Sequence, residues 1–328
     1  MALPQGCSEE PAGRLALTVL IPTHNRPVLL LRAVSSALAD LPPRAEVLVV
    51  DDASDVAAAQ TLADLMAQDN RLHVLSNAGT RGAAGARNFG VDMAQGAIIM
   101  FLDDDDELLP GYAARVLQVA GRQDVDYGFC AILRRDNTGQ EERIGRRYRR
   151  GQIPSSAALR HKIAALSAGF WIRRVRFLET GGLDPAQKLD EDTSLCCALV
   201  AAGSLPWYED EPGMRVHILH TSADSGGAQL TQISRPDIVL DCYLRTWTGH
   251  EARFPAFSEA RWFLGTRYLR RAAKLGKGDR VWRFVGDVRP RVMALAFAAY
   301  GAAKILTSKG KSLSPVRAER PQGTSRSE

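Results

Sequence analysis

The stretch AIIMFLDDDDE, residues 97–107, decides the fold of this chain. Its six apolar residues have the length of a buried strand, and four aspartates follow them directly. Two earlier segments repeat the arrangement: LALTVLI (15–21) ends at a proline, and EVLVV (46–50) runs into Asp51 and Asp52. Helix-like segments lie between these strands. Such alternation predicts an α/β fold, with a mostly parallel sheet covered by helices on both faces.

The segments between the strands carry helix signals of their own. Pro27 stands near the start of one helix-like segment, where its missing N–H costs little. AGARNFGVDMAQG (84–96) ends on Gly96, which we interpret as a C-terminal helix cap. After about residue 235 the chain becomes helical, basic and rich in aromatic residues. We therefore predict an N-terminal tail over 1–13, an α/β domain over 14–232, a helical C-terminal region over 233–308 and a disordered tail over 309–328.

Charge is distributed unevenly along the 328 residues. The net charge is +5, but residues 243–328 carry 18 Lys and Arg against 6 Asp and Glu, while residues 1–242 carry 24 against 31. The five cysteines include no CxxC pair, which argues against a disulfide framework and a zinc site. The first residues have no basic segment of the secretory type. These features predict a cytoplasmic protein with an acidic body and a basic C-terminal region.

The carboxyl ends of the predicted strands carry acidic residues from two neighbouring strands. Ligands of open parallel sheets bind at that edge. Four adjacent aspartates repel one another, so a positive partner is expected, and a hard divalent cation such as Mg²⁺ or Mn²⁺ prefers oxygen ligands. Such residues also cap helices, which is the interpretation we favour for Ser54 and Asp55. Capping needs one residue, so we assign the run Asp103–Asp106 to ligand binding.

Five motifs occur in the order and spacing of one known family. They are VLIPTHNRP (19–27), VLVVDDAS (47–54), ARNFG (86–90), IIMFLDDDDELLP (98–110) and GGLDPAQKLDEDTSL (181–195). With them the chain resembles the family 2 glycosyltransferases of GT-A fold over roughly residues 15–225. The resemblance implies an inverting transfer from a nucleotide-diphosphate sugar, which we expect to be UDP-linked, with Mg²⁺ or Mn²⁺ as cofactor.

The resemblance also implies roles for individual residues. Nucleotide-sugar binding falls on residues of four loops and one helix: Pro22, Thr23, Asp51, Asp52, Arg81, Arg87, Asp103 and Asp104. The DxD motif of the family corresponds to Asp103 and Asp105, and we place the metal on Asp105. Many members of the family carry a histidine near the diphosphate or the metal, so His217 and His220 are candidates, and we favour His220 as a metal ligand.

The second acidic motif matches Glu191 and Asp192, so the resemblance implies that both are catalytic residues, and the family's catalytic base is the aspartate of this motif. An inverting transfer needs a carboxylate that takes the proton of the acceptor hydroxyl, so we assign this role to Asp192. Asp190 adds a third carboxylate that can raise a neighbour's pKa. The alternative is that these acids only favour a helix N-terminus.

Two departures from the family pattern bear on function. Ala53 replaces the usual glycine of the DDGS motif, and the QxxRW motif of processive synthases is absent. We therefore expect transfer of a single sugar to a glycan or lipid-linked acceptor, in the assembly of a surface polysaccharide or another glycan. A catalytically silent homologue that binds nucleotide sugars is one alternative. A nucleotidyltransferase is the other, although the segment PTHNRP is not the Gly-rich loop that such an enzyme needs.

The basic region over 261–311 mixes aromatic and apolar residues with Lys and Arg. Its apolar run VMALAFAAYGAAKILT (292–307) is shorter than the roughly 20 residues that span a bilayer. Basic helices of this composition bind anionic membrane surfaces, so peripheral contact with the inner face of the membrane is one interpretation. A helical subdomain or a homodimer interface are the others. No motif indicates nucleic-acid binding.

Overall fold

The computed structural model describes residues 15–122, 124–218 and 235–309. The strands of this part of the chain are β1 Leu15–Thr23, β2 Ala45–Asp51, β3 Leu72–Ser76, β4 Gly96–Phe101, β5 Glu107–Leu108, β6 Tyr127–Arg135, β7 Glu141–Ile144, β8 Gly151–Gln152, β9 Trp171–Arg173 and β10 Pro206–His217. The helices are α1 Pro27–Ala39, α2 Ala58–Thr61, α3 Ala63–Gln68, α4 Ala83–Met93, α5 Tyr112–Ala120, α6 Leu159–Lys162, α7 Arg174–Glu179, α8 Glu191–Ala201, α9 Pro236–His250, α10 Glu259–Lys274, α11 Gly278–Asp287 and α12 Arg291–Lys309. A short 3₁₀ helix, Glu251–Arg253, follows α9.

The strands form one sheet in the order β3-β2-β1-β4-β9-β6-β10-β5. The long ladders β1–β2, β1–β4, β2–β3 and β6–β10 are parallel, whereas the antiparallel pairs are short. Alternation along β1 places Val19 and Ile21 in one apolar core and Leu20 in the other, so both faces of the sheet are covered. The predicted α/β fold with a mostly parallel sheet is confirmed.

The register of the parallel ladders decides where the polar ends meet. Thr23 at the end of β1 lies opposite Asp51 at the end of β2, and Leu20 lies opposite Phe101 at the end of β4. Asp103 therefore begins a loop beside the last residues of β1. The aspartates that follow two separate strands share one edge of the sheet.

The interpretation of Gly96 as a helix cap is wrong. Helix α4 ends at Met93, and Gly96 is the first residue of β4. A Cβ atom at Gly96 would lie 2.4 Å from the backbone nitrogen of Thr18 in β1. The glycine is needed because two backbones approach closely, which a helix-end pattern in the sequence does not reveal.

The chain divides into two compact units, with the boundary between Phe263 and Leu264. The division assigns α9 to the first unit; the boundaries that we place at 232 and 308 stay predictions. In the second unit, Tyr268 stacks on Phe284 at 4.7 Å between ring centroids, and Phe284 meets Phe297 edge-on at 5.8 Å. No helix in the described ranges has the length and apolar character needed to cross a bilayer.

Candidate functional site

A cleft of about 640 Å³ opens at the carboxyl edge of β1, β2 and β4. Its walls come from the loops after these strands, from α4 and from the segment that leads into α8. The lining includes Pro22, Thr23, His24, Arg26, Asp52, Arg87, Asp103, Asp104, Asp105, Asp106, Ser167, Lys188, Asp190, Glu191 and Asp192. Both acidic motifs of the sequence therefore face one cavity.

The run Asp103–Asp106 is held by side chains from the N-terminal part of the chain. The hydroxyl of Thr23 donates to Asp104 at 2.8 Å. One nitrogen of Arg26 donates to Asp104 at 3.1 Å and to Asp105 at 3.0 Å. Asp106 accepts the backbone N–H of His217 at 3.0 Å. Asp104, Asp105 and Asp106 are thus each held by a hydrogen bond from a residue distant in sequence.

Three of these carboxylates have the geometry of a cation site. Oxygen atoms of Asp103, Asp105 and Asp106 lie within 4.8 Å of one another. Burial and the charges of Asp103 and Asp104 raise the pKa of Asp105 to about 6. Burial and the charges of Asp103 and Asp105 raise the pKa of Asp106 well above its ordinary value. An all-oxygen set with mutual repulsion suits Mg²⁺ or Mn²⁺, so these residues fit the expected metal.

Arg87 on α4 connects the two acidic motifs. Its guanidinium donates to Asp103 at 2.6 Å and to Glu191 at 3.3 Å, and the side chain is buried. These two partners lie 16 and 104 positions away in sequence. Because each carboxylate is paired with a different nitrogen of one planar group, Arg87 sets the separation between the aspartate run and the start of α8.

Glu191 and Asp192 form the first turn of α8 and line the cleft. Burial, helped by the charge of Asp192, raises the pKa of Glu191 to about 7, although Arg87 opposes this shift. Asp192 accepts the backbone N–H of Thr193. The negative charges sit at a helix N-terminus, where the backbone N–H groups favour them.

Helix α9 supports the segment that precedes this pair. The hydroxyl of Thr246 donates to Asp190 at 2.8 Å and accepts the amide of Gln187 at 2.8 Å, in buried surroundings. Ser194 and the Nε2 atom of His250 are 2.8 Å apart. Asp190 has a left-handed backbone, with φ of 68°. The conformation that aims Glu191 and Asp192 into the cleft is therefore fixed by long-range contacts.

The residues predicted to bind the nucleotide are only partly brought together. Pro22, Thr23 and Asp52 line the cleft. The carboxylate of Asp51 accepts the backbone N–H groups of Ser54 at 2.9 Å and Ala58 at 2.8 Å. Burial opposes ionisation of Asp51, but these hydrogen bonds lower its pKa. Asp51 is absent from the described lining, and its contacts are those of a turn and helix cap.

Arg81 and the two histidines lie in different positions relative to the cleft. Arg81 is exposed and outside the described lining, and its guanidinium donates to the carbonyl oxygen of Asp52 at 3.4 Å. The Nε2 atom of His217 lies 2.7 Å from the carboxylate of Glu107. His220, the proposed metal ligand, lies outside the described residues.

Sequence reasoning missed Arg26 and Lys188. Arg26 bridges two of the four aspartates, and Lys188 lines the cleft with its side chain exposed. A signal for Arg26 was available, because an arginine directly after a buried strand stands at the same sheet edge as the aspartate run. Lys188 has no such signal, since its approach to the cleft depends on the path of the chain before α8.

Comparisons with known proteins agree with this arrangement. The family model described as Glycosyl transferase family 2 matches residues 18–182. A Campylobacter jejuni protein named GalNAc(5)-diNAcBac-PP-undecaprenol beta-1,3-glucosyltransferase is 35% identical over 127 residues, which are 38% of this chain and 41% of that relative. The match thus spans about two fifths of the relative's length.

A second relative and one solved structure match over more of the chain. The succinoglycan biosynthesis protein ExoO of Rhizobium meliloti is 28% identical over 268 residues, which are 76% of this chain and 75% of ExoO. The crystal structure of S. aureus TarS in complex with UDP-GlcNAc superposes with a TM-score of 0.67 at 14% identity and covers 91% of each chain. This structural likeness shows a shared fold.

Proposed function

The chain belongs to glycosyl transferase family 2 and is a glycosyltransferase, and from this premise we propose that it moves a single sugar from a UDP-linked donor to an acceptor hydroxyl. One observation carries the proposal. Arg87 pairs Asp103 of one acidic motif with Glu191 of the other across a single cleft. The groups that would hold a donor diphosphate and those that would accept a proton are therefore within reach of one substrate.

The donor end of the cleft is assigned to residues that follow β1, β2 and β4. Pro22, Thr23 and Asp52 are proposed to hold the nucleoside, with Asp103 and Asp104 on the nucleotide sugar. Asp51 is proposed to shape the loop that follows β2, and Arg81 to border this loop, without direct contact of either residue with the nucleotide. Asp103, Asp105 and Asp106 would hold Mg²⁺ or Mn²⁺, which would supply positive charge for the diphosphate when bound. Arg26 neutralises part of the acidic run beside them.

The acceptor end is assigned to the first turn of α8. Asp192 takes the proton from the acceptor hydroxyl while the hydroxyl oxygen forms a bond to the anomeric carbon of the donor sugar. The bond between that carbon and the diphosphate oxygen breaks, and the electron pair leaves with the nucleoside diphosphate. Attack opposite the leaving group inverts the anomeric centre. Glu191 keeps Arg87 in place, so it acts as a positioning residue.

The proposed acceptor is a glycan or a lipid-linked glycan of a surface polysaccharide. The name of the Campylobacter relative specifies an undecaprenol-linked substrate, and that of ExoO specifies succinoglycan biosynthesis. Exposed Lys188 at the cleft offers a positive charge to an acceptor phosphate. We place the enzyme in the cytoplasm, in peripheral contact with the inner face of the membrane.

Thermal shift with UDP, GDP, CDP and dTDP, each with and without Mn²⁺, tests the donor site. We expect UDP with Mn²⁺ to raise the melting temperature most, because the aspartate run would hold the metal and the metal would supply positive charge for the diphosphate. Asp105→Ala should abolish the rise, whereas the surface variant Asp64→Asn should keep it. No rise with any nucleotide would contradict the proposed donor site. A rise without hydrolysis of the matching nucleotide sugar, and without transfer to any glycan or lipid-linked acceptor, would indicate a silent binding homologue.

A further inference from the structure

Helix α12 is apolar on two opposite sides. One side, with Met293, Phe297 and Gly301, is buried in the C-terminal unit. The other side holds Val292, Leu295 and Leu306, which are 66%, 71% and 73% exposed. Large apolar side chains with this exposure are unfavourable in water, so this side is expected to have an occupant.

The exposed residues form one continuous stripe. Val292, Leu295, Ala299, Ala303 and Leu306 follow one another at spacings of three or four residues, which places them along one side of a helix. At 1.5 Å per residue the stripe is about 21 Å long. The stripe residues include no charged side chain. We call this set, with Ala296 at its border, the α12 stripe.

The unit that presents the α12 stripe is strongly basic. Residues 264–309 contain eleven Lys and Arg and two Asp. Arg289 and Arg291 are exposed at the end where the stripe begins. An apolar stripe with exposed arginines at one end, on a unit that is basic as a whole, matches the boundary between anionic headgroups and acyl chains, where apolar residues insert and cations meet phosphate.

A second copy of this chain fits the same surface less well. Pairing two stripes would bring two units of like charge together, and like charges at close range repel. A transmembrane position is also excluded for α12 by its length and composition. Charge complementarity therefore favours an anionic lipid surface as the occupant.

We propose that the α12 stripe lies on an anionic membrane surface, with the helix axis parallel to the bilayer and Val292, Leu295 and Leu306 inserted below the headgroups. This inference deepens the proposed contact with the inner membrane face and rests on it for its biological setting. Lipid binding is measured without donor or acceptor, so its failure leaves the transferase assignment untouched.

The experiment is co-sedimentation of the full chain with vesicles of phosphatidylcholine alone and with about one third phosphatidylglycerol. We expect binding to the anionic vesicles and a strong decrease in 1 M salt, because salt screens the basic residues. Leu295→Glu with Leu306→Glu should lower the partition coefficient by about tenfold or more, since each leucine loses its burial in the acyl region. Circular dichroism and thermal melting verify that the variant is folded.

A matched control carries the same charges elsewhere. Val56→Glu with Val175→Glu adds two glutamates at exposed valines of the first unit and should bind like the wild type. Equal loss of vesicle binding in both double variants would overturn the proposal that the α12 stripe binds lipid, because the change in net charge alone would explain the loss. Failure of the wild type to bind anionic vesicles would overturn the proposal as well. A wild-type dimer that the stripe variant converts to a monomer, without vesicle binding, would assign the surface to a second copy.

Discussion

The two acidic motifs of the cleft are alike in sequence and differ in structure. In the run Asp103–Asp106, four consecutive carboxylates are shared among Thr23, Arg26, Arg87 and backbone N–H groups. In the segment Asp190–Asp192, the acids begin a helix, and Arg87 and Thr246 hold two of them. Arg87 is the contact that the two motifs have in common.

The two motifs differ in the groups that surround their negative charges. Oxygen atoms of Asp103, Asp105 and Asp106 lie within 4.8 Å of one another, and burial with mutual repulsion raises the pKa of Asp105 and of Asp106. In the second motif, burial raises the pKa of Glu191 to about 7 while Arg87 keeps it close to Asp103. Carboxylates therefore lie close together around a cation-sized space in one motif and are paired with an arginine and a threonine in the other, because the neighbours differ.

Asp192→Asn should have the largest effect, because it separates proton transfer from donor binding. We expect kcat for sugar transfer to fall by about 10²–10⁴, which is the usual contribution of a general base. The UDP-dependent thermal shift should stay within error of the wild type. Activity that survives the substitution would move the base to another group, and loss of the thermal shift would place Asp192 among the donor ligands.

Arg87→Met breaks the contact between the motifs. Removing one member of a buried ion pair leaves charges without compensation, so the free energy of unfolding should fall by about 3–5 kcal/mol. Urea denaturation followed by circular dichroism measures this. The matched control is Arg122→Met, which removes an exposed, solvent-screened pair with Asp124 and should lower the free energy of unfolding far less. Equal losses of unfolding free energy in the two variants would show that the ion pairs of Arg87 stabilise the fold no more than an exposed ion pair does.

The third prediction concerns pH and has the smallest effect. Because the pKa of Glu191 is raised to about 7, the folded chain holds this proton more tightly than the unfolded chain, whose glutamate titrates near 4.5. The contribution of Glu191 to the free energy of unfolding is therefore most favourable below pH 4.5 and decreases as the pH rises to 7, by at most ~3 kcal/mol. Glu191→Gln should flatten this part of the stability profile.

Urea titrations at pH 5, 6 and 7 measure the slope for the wild type and for Glu191→Gln. Glu179→Gln, on the surface of α7, serves as the matched control and should keep the wild-type slope. A wild-type profile that rises across this interval in parallel with that of Glu191→Gln would contradict the assigned role of Glu191.

Local pattern was sufficient for the strands that correspond to β1, β2 and β4, for the helices that correspond to α1 and α4, and for the aspartate run after β4. A buried strand and an amphipathic helix each have a periodicity of their own, and parallel strands necessarily end at one edge of the sheet. The aspartates after β2 and β4 were therefore predicted to lie at one edge of the sheet, as they do. The pair Glu191–Asp192 was assigned to the site by the family resemblance, and it lines the same cleft. The nucleotide and metal roles of single residues stay predictions.

Tertiary structure alone decided which charges are paired and which surfaces are buried. Arg87 and Glu191 are 104 positions apart, and Arg26 and Asp105 are 79 apart, so no window of sequence contains both members of either pair. Gly96 begins strand β4 and does not end a helix, because the backbone of Thr18 in β1 lies directly beside it. Likewise, the composition of α12 predicts an apolar helix, but only packing around Phe297 determines that the opposite side, with Leu295, is exposed. Periodicity indicates which secondary structure a segment prefers, whereas contacts between distant segments depend on how the whole chain folds.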